Sequence, residues 1–320
     1  MTTHARTIPY ARPVNLSDAL ALLAKGYVPI AGGTDYYPAR VAQPITDALL
    51  DMSAIPGMRG IAMWENEHEI KNDNKRLDQQ GRPIVLGALT TWTDCLNLPL
   101  PQAFTALVQA AKQIGGWQVQ NRATLGGNLC NASPAADGTV ALLALNARVT
   151  LTSLHSDQRN GSLIDRSLPI DQFVLGNRQT TRRPDELLTA ITIPRYSRRA
   201  KSVFLKLGGR QYLVISIVMV AVLIDTDIDG RISHCAIAVG ACNRAAVRLT
   251  ALEKVLIGLQ NGTPNRELNT EKNSAISDLV QQYLPTALQA LQPIDDVRGT
   301  AKYRLHSASE LIQQAIKQCL

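Results

Sequence analysis

Apolar residues recur every three to four positions in some stretches of the chain, and every second position or continuously in others. The first spacing is typical of an amphipathic helix, and the second of a strand with one or both faces buried. Leu16, Leu20 and Leu23, for example, lie between the cap candidates Asn15 or Ser17 and Gly26, which predicts a helix. By these criteria we predict helices at 15–26, 104–114, 139–145, 248–259 and 308–319, and strands at 28–31, 43–52, 83–89, 147–153, 187–194, 202–207, 214–224 and 232–239.

These elements indicate an α+β protein with more than one domain. At 320 residues, the chain exceeds the size at which one hydrophobic core usually stops growing. Pro194 ends a predicted strand, and the charged stretch that follows it, 195–200, is typical of a domain boundary. Asp229-Gly230 separates two apolar runs and predicts an antiparallel hairpin. We therefore predict an N-terminal domain over 1–195, with lobes of about 1–61 and 62–195, and a C-terminal α+β domain with an antiparallel sheet over 200–320.

Two polar stretches interrupt the N-terminal pattern. Residues 64–81 carry many charges and no sustained apolar period. Charge runs of this kind usually face water, so we predict a solvated loop or hairpin there rather than a binding role. Asn160-Gly161 predicts a second hairpin turn.

Composition limits the class of protein. Hydrophobic residues make up 45% of the chain, yet no apolar run approaches the ~20 residues of a membrane span. The first ten residues lack the apolar core of a secretory signal. The five cysteines are odd in number and scattered, which argues against a disulfide framework. We expect a cytoplasmic protein that does not contact a membrane.

Positive charge is concentrated in one region. Between Arg148 and Arg210 there are 12 Lys and Arg residues against 5 Asp and Glu residues, a surplus of 7 that equals the formal net charge of the whole chain. This surplus indicates either a face that attracts an acidic partner or an anionic nucleotide, or simply a solvated surface. No aromatic-interleaved basic motif accompanies it, so we expect no nucleic-acid binding.

Candidate chemistry centres on two glycine-rich motifs. The first is Asn121-Arg-Ala-Thr-Leu-Gly-Gly-Asn-Leu-Cys-Asn-Ala-Ser-Pro-Ala-Ala-Asp137, where two glycines permit positive φ or close approach of a ligand among short polar side chains. Taken alone, it fits a polar loop between strands as well as it fits a ligand site. The second motif, Val28-Pro-Ile-Ala-Gly-Gly-Thr-Asp-Tyr36, can form a nest of amides suited to phosphate oxygens. Together the two motifs predict a diphosphate held between two substructures.

Other kinds of site have little support. Neither motif is a Rossmann fingerprint or a P-loop. The five histidines form no i, i+4 pair, which disfavours a zinc site. Asp225-x-Asp227-x-Asp229-Gly230 resembles a calcium loop, but Ala236 stands where the bidentate Glu would be needed. Without a Gly-x-Ser-x-Gly elbow, a hydrolase triad is not supported either.

The two motifs carry a family resemblance. Ala31-Gly-Gly-Thr-Asp35, Ala123-Thr-Leu-Gly-Gly-Asn128 and Ala132-Ser-Pro-Ala-Ala-Asp137 resemble the FAD loops of the flavoprotein (medium) subunit of molybdenum hydroxylases. That family includes the xanthine dehydrogenase, carbon monoxide dehydrogenase and 4-hydroxybenzoyl-CoA reductase types. The resemblance continues through Leu86-Gly-Ala-Leu89, Leu187–Pro194 and Phe204-Leu-Lys-Leu-Gly-Gly-Arg210 to Tyr303-Arg304. It is specific for the subunit but not for the substrate, and residues 64–81 exceed the family's usual connection at that place.

The resemblance implies a fold and a cofactor. The fold would be a two-lobed FAD-binding domain of the PCMH/vanillyl-alcohol-oxidase-like type, followed by the family's C-terminal α+β domain. The chain would bind FAD, with no catalytic acid or base and no metal ligand of its own. Asp137 would contact FAD, and Leu188 and Lys206 would lie near the isoalloxazine, where a lysine cation would favour the reduced ring. By motif, the FAD-binding residues would be Pro29, Ile30, Ala31, Gly32, Gly33, Thr34, Asp35, Tyr36, Ile114, Thr124, Leu125, Gly126, Gly127, Asn128, Ser133, Asp137, Leu188 and Lys206.

The resemblance also implies partners. A small subunit would carry [2Fe–2S] clusters and a large subunit the molybdenum–pterin cofactor, in a dimer of heterotrimers, with this chain exchanging electrons with an external carrier. Some relatives hold a further iron–sulfur cluster just after the second motif, which requires about four thiolates. Cys130 stands alone there, so we predict no cluster in this chain. Two alternatives remain: a free-standing flavin reductase with a related FAD domain, and a non-enzymatic flavin-binding scaffold or redox sensor.

Overall fold

The computed structural model describes residues 8–62, 83–155, 162–261 and 266–320, with side chains described from residue 275 onward in the last range. The predicted solvated segment 64–81 and the predicted turn Asn160-Gly161 lie outside the described residues. The helices are α1 (Leu16–Ala24), α2 (Trp92–Asn97), α3 (Thr105–Gln113), α4 (Trp117–Gln120), α5 (Leu125–Asn131), α6 (Asp137–Ala144), α7 (Ile170–Phe173), α8 (Thr250–Leu256), α9 (Arg266–Ala287) and α10 (Ala301–Cys319).

The strands form three larger sheets and a short hairpin. They are β1 (Tyr10–Ala11), β2 (Val28–Ile30), β3 (Leu49–Asp51), β4 (Ile61–Ala62), β5 (Ile84–Gly87), β6 (Arg148–Leu154), β7 (Leu163–Pro169), β8 (Val174–Gly176), β9 (Gln179–Thr180), β10 (Leu187–Ile193), β11 (Lys201–Leu207), β12 (Val218–Thr226), β13 (Ile232–Gly240) and β14 (Val247–Arg248). The described mixture of helices and largely antiparallel sheets confirms the predicted α+β class.

The first sheet is small and parallel, in the order β1-β3-β2. Helix α1 connects β1 to β2, and the side chain of Asn15 caps it by accepting a hydrogen bond from the amide of Asp18. Its apolar stripe, Ala19, Leu20 and Leu23, is buried. This arrangement ends β2 at the first glycine-rich motif.

The second sheet is antiparallel, in the order β4-β5-β10-β6-β7. Helices α3 and α6 contact each other and also reach β11, β12 and β13. Strand β4 begins at the predicted lobe boundary and pairs with β5 of the second sheet. The division of the chain into domains and lobes stays a prediction.

The third sheet, in the order β11-β12-β13-β14, is covered on both faces. Side chains on alternate strand positions point to opposite faces. Met219, Ala221 and Leu223 of β12 belong to the core shared with α3 and α6, whereas Val218, Val220, Val222 and Ile224 pack into the core of the C-terminal helices. Burial on both faces explains why this strand reads as a continuous apolar run.

Several predicted boundaries were wrong. The strand expected at 43–52 covers only Leu49–Asp51, and the strand expected at 214–224 starts at Val218. The helix expected at 248–259 covers only Thr250–Leu256, because the chain after it pairs with β13. The amide of Ile232 donates to Leu259 O, and the amide of Gly258 donates to Ile232 O. Helix α10 begins earlier than expected, at a cap formed by Thr300. Helix α9 was not predicted.

No helix in the described ranges combines the length and apolar character that crossing a bilayer requires.

Candidate functional site

A cavity of about 820 Å³ lies where the turn after β2, helix α5, the start of α6 and the end of β11 meet. This volume falls within the range of small-molecule and cofactor sites. Every residue that the sequence proposed for binding lines the cavity except Leu125. Residues that are distant in sequence, such as Asp35, Leu188 and Lys206, therefore face one space.

Leu125 is the predicted binding residue that does not line the cavity, and its role in binding stays a prediction. Its side chain is fully buried in the core, and its amide donates to Thr90 O at 2.9 Å. It is therefore a packing residue beside the cavity. Because it sits between two residues that do line the cavity, the motif alone could not separate it from them.

The turn after β2 offers a row of backbone donors. Within the part of the chain that the structure describes, the amides of 32–36 donate to no protein acceptor. Gly33 has φ +73, a left-handed conformation that favours glycine. The Tyr37 ring fills the space of its missing side chain, since an added Cβ would lie 2.5 Å from Tyr37 Cε2. These amides can receive the oxygens of an anion.

Gly32 joins this turn to the second motif. A Cβ at Gly32 would lie 1.8 Å from Arg122 O and 2.9 Å from the amide nitrogen of Ala123. The two chain segments therefore touch backbone to backbone. Asn131 adds a second link by donating from Nδ2 to Asp35 Oδ1 at 3.0 Å. The predicted meeting of the two motifs is thus seen as direct contact.

The second motif is a helix rather than an open loop. Thr124 caps α5, accepting a hydrogen bond from the amide of Gly127 at 3.0 Å, and the amide of Gly126 donates to Ala88 O at 2.8 Å. Neither glycine has positive φ. The positive φ that glycine permits is not used here, but Gly126 does allow close packing, since its added Cβ would lie 2.7 Å from Ala88 O. The amides of 125–128 are all bonded within the protein.

The side chain of Tyr36 is bound within the protein by Asp47 and Arg40. Its hydroxyl donates to Asp47 Oδ2 at 2.5 Å, and the Arg40 guanidinium carbon lies 3.7 Å from the centre of its ring. Burial and the hydrogen bond to Asp47 raise the pKa of Tyr36 to about 12, so the phenol stays neutral. Arg40 also bonds Asp47, and the group presents a cation–aromatic wall to the cavity.

Lys206 and Asp137 form a buried ion pair at the opposite end. Lys206 Nζ lies 2.6 Å from Asp137 Oδ2, and both side chains are almost completely buried. The hydroxyl of Ser216, which is fully buried, donates to Asp137 Oδ1 at 2.6 Å. Burial raises the pKa of Asp137, while the Lys206 ammonium opposes that shift. The sequence predicts a lysine cation at this place but not its partner, and the charge of Lys206 is compensated by Asp137.

Sequence reasoning missed several cavity residues. They are Val28, Ala39, Arg40, Met52, Val119, Arg178, Thr180, Arg182, Val214 and Ile215, among others. Arg178 lies in the turn between β8 and β9 with φ +59, and its amide donates to Ala132 O, a residue that is itself left-handed. Backbone strain of this kind gathers at functional sites. Nothing in the sequence around it marks Arg178, because a polar turn between short strands looks ordinary.

The cavity favours an anionic ligand. Arg40, Arg178, Arg182 and Lys206 line it. Arg40 is paired with Asp47 and Lys206 with Asp137, which leaves Arg178 and Arg182 against Asp35. Focused positive potential in a cleft raises the local concentration of anions.

In the described residues no three His, Cys, Asp or Glu side chains come together as a metal would require. Cys130, which forms no disulfide with another described residue, lines the cavity, while the other four cysteines are buried elsewhere and also unbridged.

Two family models match the chain. One, described as the FAD binding domain in molybdopterin dehydrogenase, matches residues 4–196. The other, described as the CO dehydrogenase flavoprotein C-terminal domain, matches residues 204–319.

Individual relatives match over almost their whole length. The nicotine 6-hydroxylase medium subunit of Paenarthrobacter nicotinovorans is 29% identical over 316 residues, which cover 97% of this chain and 96% of that protein. The carbon monoxide dehydrogenase medium chain of Hydrogenophaga pseudoflava is 26% identical, covering 96% and 95%. A solved structure of carbon monoxide dehydrogenase from Hydrogenophaga pseudoflava, lacking the Mo-pyranopterin moiety of the molybdenum cofactor, has a TM-score of 0.74 at 26% identity and covers 97% of this chain and 96% of that one.

Proposed function

Because the chain belongs to the family of FAD-binding medium subunits of molybdenum hydroxylases, we propose that the cavity holds FAD with its diphosphate against residues 31–36. The observation that carries this proposal is the row of amides at 32–36: they have no acceptor among the described residues, and they belong to residues that line the same cavity as Arg40, Arg178 and Arg182. A diphosphate supplies the acceptors that these donors lack. The isoalloxazine would then lie at the Lys206 end, against Ile114, Leu188, Val214 and Ile215.

The chain is an oxidoreductase subunit whose bound FAD supplies the redox chemistry. The protein's own residues bind and orient the cofactor. Gly32 and Gly33 let the backbone approach it, Arg178 and Arg182 offset its negative charge, and the apolar side chains exclude water from its ring. No side chain of the cavity is required to act as an acid or a base.

We further propose that the chain works inside a heteromeric complex. Its relatives are named as medium subunits and medium chains, which supports an assembly with a small and a large subunit. In our proposal, the small subunit carries the [2Fe–2S] clusters and the large subunit the molybdenum–pterin cofactor. The FAD held by this chain would supply the link between those clusters and an external carrier, in a dimer of heterotrimers.

Purification of the native complex tests this proposal directly. Native mass spectrometry should give a heteromer with one FAD per copy of this chain, and metal analysis should give both iron and molybdenum. Copurification of this chain with FAD but with no other subunit and no metal would instead favour the free-standing reductase. The chain isolated without FAD from its native source would contradict the FAD assignment.

Exposed arginines suggest how the partner approaches. Arg195, Arg198, Arg199 and Arg210 are exposed, although Lys206 of the same region is buried and paired. Charges at the rim of an interface mainly raise the association rate, and salt screens them over about 8 Å at physiological ionic strength. We expect assembly with an acidic partner subunit to slow as salt rises.

A charge-matched pair of variants checks this expectation by stopped-flow association. The double variant Arg195→Gln/Arg198→Gln should associate more slowly at low salt and lose most of its salt dependence. The control Lys254→Gln/Lys317→Gln removes the same charge from exposed positions on α8 and α10. Equal rates for the two variants at low salt would rule out steering by the basic region.

A further inference from the structure

Residues 208–216, which make up most of the connection between β11 and β12, form part of the cavity wall. Val214 and Ile215 line the cavity, and Leu213 adopts a left-handed φ of +51. The Arg210 side chain holds this shape by donating from Nε to Leu213 O at 3.1 Å. The loop therefore presents a defined apolar surface to whatever occupies that end.

Both ends of the loop are attached to one carboxylate. Lys206 lies at the end of β11 and bonds Asp137 Oδ2 at 2.6 Å. Ser216 lies just before β12 and bonds Asp137 Oδ1, also at 2.6 Å. Charge-assisted hydrogen bonds of this length are among the stronger ones. Each oxygen of Asp137 thus holds a different end of the loop.

The carboxylate itself is fixed in place. Asp137 is the first residue of α6, and Gly138 packs so closely beneath Trp92 that an added Cβ would lie 2.1 Å from the indole ring. Helix α6 lies in the chain before the third sheet, whereas Lys206 and Ser216 belong to that sheet and its loop. Asp137 therefore ties the third sheet to the part of the molecule that carries the glycine motifs.

We propose that Asp137 is a positioning residue that clamps the loop 208–216 across the isoalloxazine end of the cavity and offsets the charge of Lys206. The inference rests on the proposed placement of FAD in this cavity. An ammonium beside the ring favours the more negative, reduced form of the flavin. While Asp137 is ionised, that effect is largely cancelled. Asp137 thereby sets both the position of the wall and the net charge that the flavin meets.

The clamp is tested first by hydrogen exchange on the FAD-loaded native complex. Ser216→Ala releases one end of the loop, so the amides of 209–215 should exchange at least tenfold faster, because local opening becomes easier. Ser202→Ala is the matched control: Ser202 is a buried serine at the other end of the same hairpin, accepting a hydrogen bond from the amide of Ala106 at 2.8 Å. It should leave exchange in the loop unchanged. Equal exchange in both variants would overturn the clamp.

The charge role is tested by redox titration of the same complex. Asp137→Asn leaves Lys206 uncompensated, so the equilibrium constant for two-electron reduction should rise about tenfold, which corresponds to about 30 mV. The double variant Asp137→Asn/Lys206→Met removes both charges and should return toward the wild-type potential. Coupling between neighbours of this kind is what a double-mutant cycle measures. Equal potentials for wild type and Asp137→Asn at equal occupancy would refute the charge role.

Measuring the FAD content of the wild-type and variant complexes shows whether a negative result contradicts this inference or the proposed function. A wild-type complex without FAD would contradict the proposed function. The Asp137→Asn variant could lose FAD while its loop 208–216 exchanges at the wild-type rate. Asp137 would then be a direct ligand of FAD and nothing more, which would overturn the clamp. Loss of FAD together with faster loop exchange would support it.

Discussion

Replacing Gly32 by alanine is expected to remove most of the bound FAD. The added methyl group would lie 1.8 Å from Arg122 O and 2.4 Å from Arg122 C. Both are backbone atoms, so no side-chain rotation relieves the clash, and the turn at 31–36 must move away from the segment that precedes α5. Overpacking of this kind costs about 3 kcal/mol at the upper end of its usual range. Expressed as lost affinity, that is about a hundredfold.

Flavin absorbance per polypeptide, measured after dialysis, gives the occupancy. The matched control is Gly116→Ala, because Gly116 does not line the cavity, its φ of −113 is not left-handed, and an added Cβ would come no closer than 3.5 Å to the side chains of Gln118 and Leu213. Circular dichroism of both variants should match the wild type, since the clash at Gly32 lies at the surface of the cavity. Full FAD occupancy in Gly32→Ala would show that the contact between the two motifs does not shape the binding site.

The sequence alone was enough to select residues that surround one cavity, for a physical reason. Glycine pairs, short polar side chains and Pro134 restrict the backbone over short stretches, and such local restrictions are visible as a motif. The turn after β2 behaves as its residues predict, with Gly33 in the left-handed region. The long apolar runs at 218–224 and 232–239 likewise form strands, as their residues predict.

What could not be predicted depends on partners that are distant in sequence. Gly126 lies in a helix whose first amides donate to Ala88, Thr90 and Thr124, and its lack of a side chain allows the close approach of Ala88. The neutralisation of Lys206 depends on Asp137, which lies 69 positions away. A motif around Lys206 contains no information about that pairing. The same is true of Arg178, whose left-handed backbone is held by the carbonyl of Ala132.

Arg304 shows how such a distant pairing can stabilise the C-terminal part of the molecule. It lies in the first turn of α10 and is completely buried. Its guanidinium donates to Ile217 O at 2.5 Å, to Ala241 O at 3.1 Å and to Asp296 Oδ1 at 2.7 Å. Ile217 precedes β12 and Ala241 follows β13, so one side chain binds both open ends of that hairpin. The amide of Ala241 in turn donates to Pro134 O, beside α6.

Arg304→Met should therefore lower the free energy of unfolding by about 3–5 kcal/mol, the cost of breaking a buried hydrogen-bonded charge pair. The change leaves two backbone carbonyls without this donor and Asp296 with one cation fewer. Urea denaturation followed by circular dichroism measures the loss. Arg298→Met is the control, because Arg298 bonds the same carboxylate but is partly exposed, and a pair of that kind contributes about 1 kcal/mol or less.

The pH dependence of the same measurement isolates the ionic part of the effect. Hydrogen bonds from Arg298, and then from Arg304, lower the pKa of Asp296 below its ordinary value of 3.8. A carboxylate with a depressed pKa contributes stability above its unfolded pKa, and that contribution is lost as the pH falls through the folded value. The difference between wild type and Arg304→Met should therefore be full at neutral pH and narrow below about pH 4. It should not vanish, because the bonds to Ile217 O and Ala241 O do not titrate. A difference that stays constant down to pH 2 would mean that Arg304 acts through those two carbonyls and that its pairing with Asp296 adds nothing to stability.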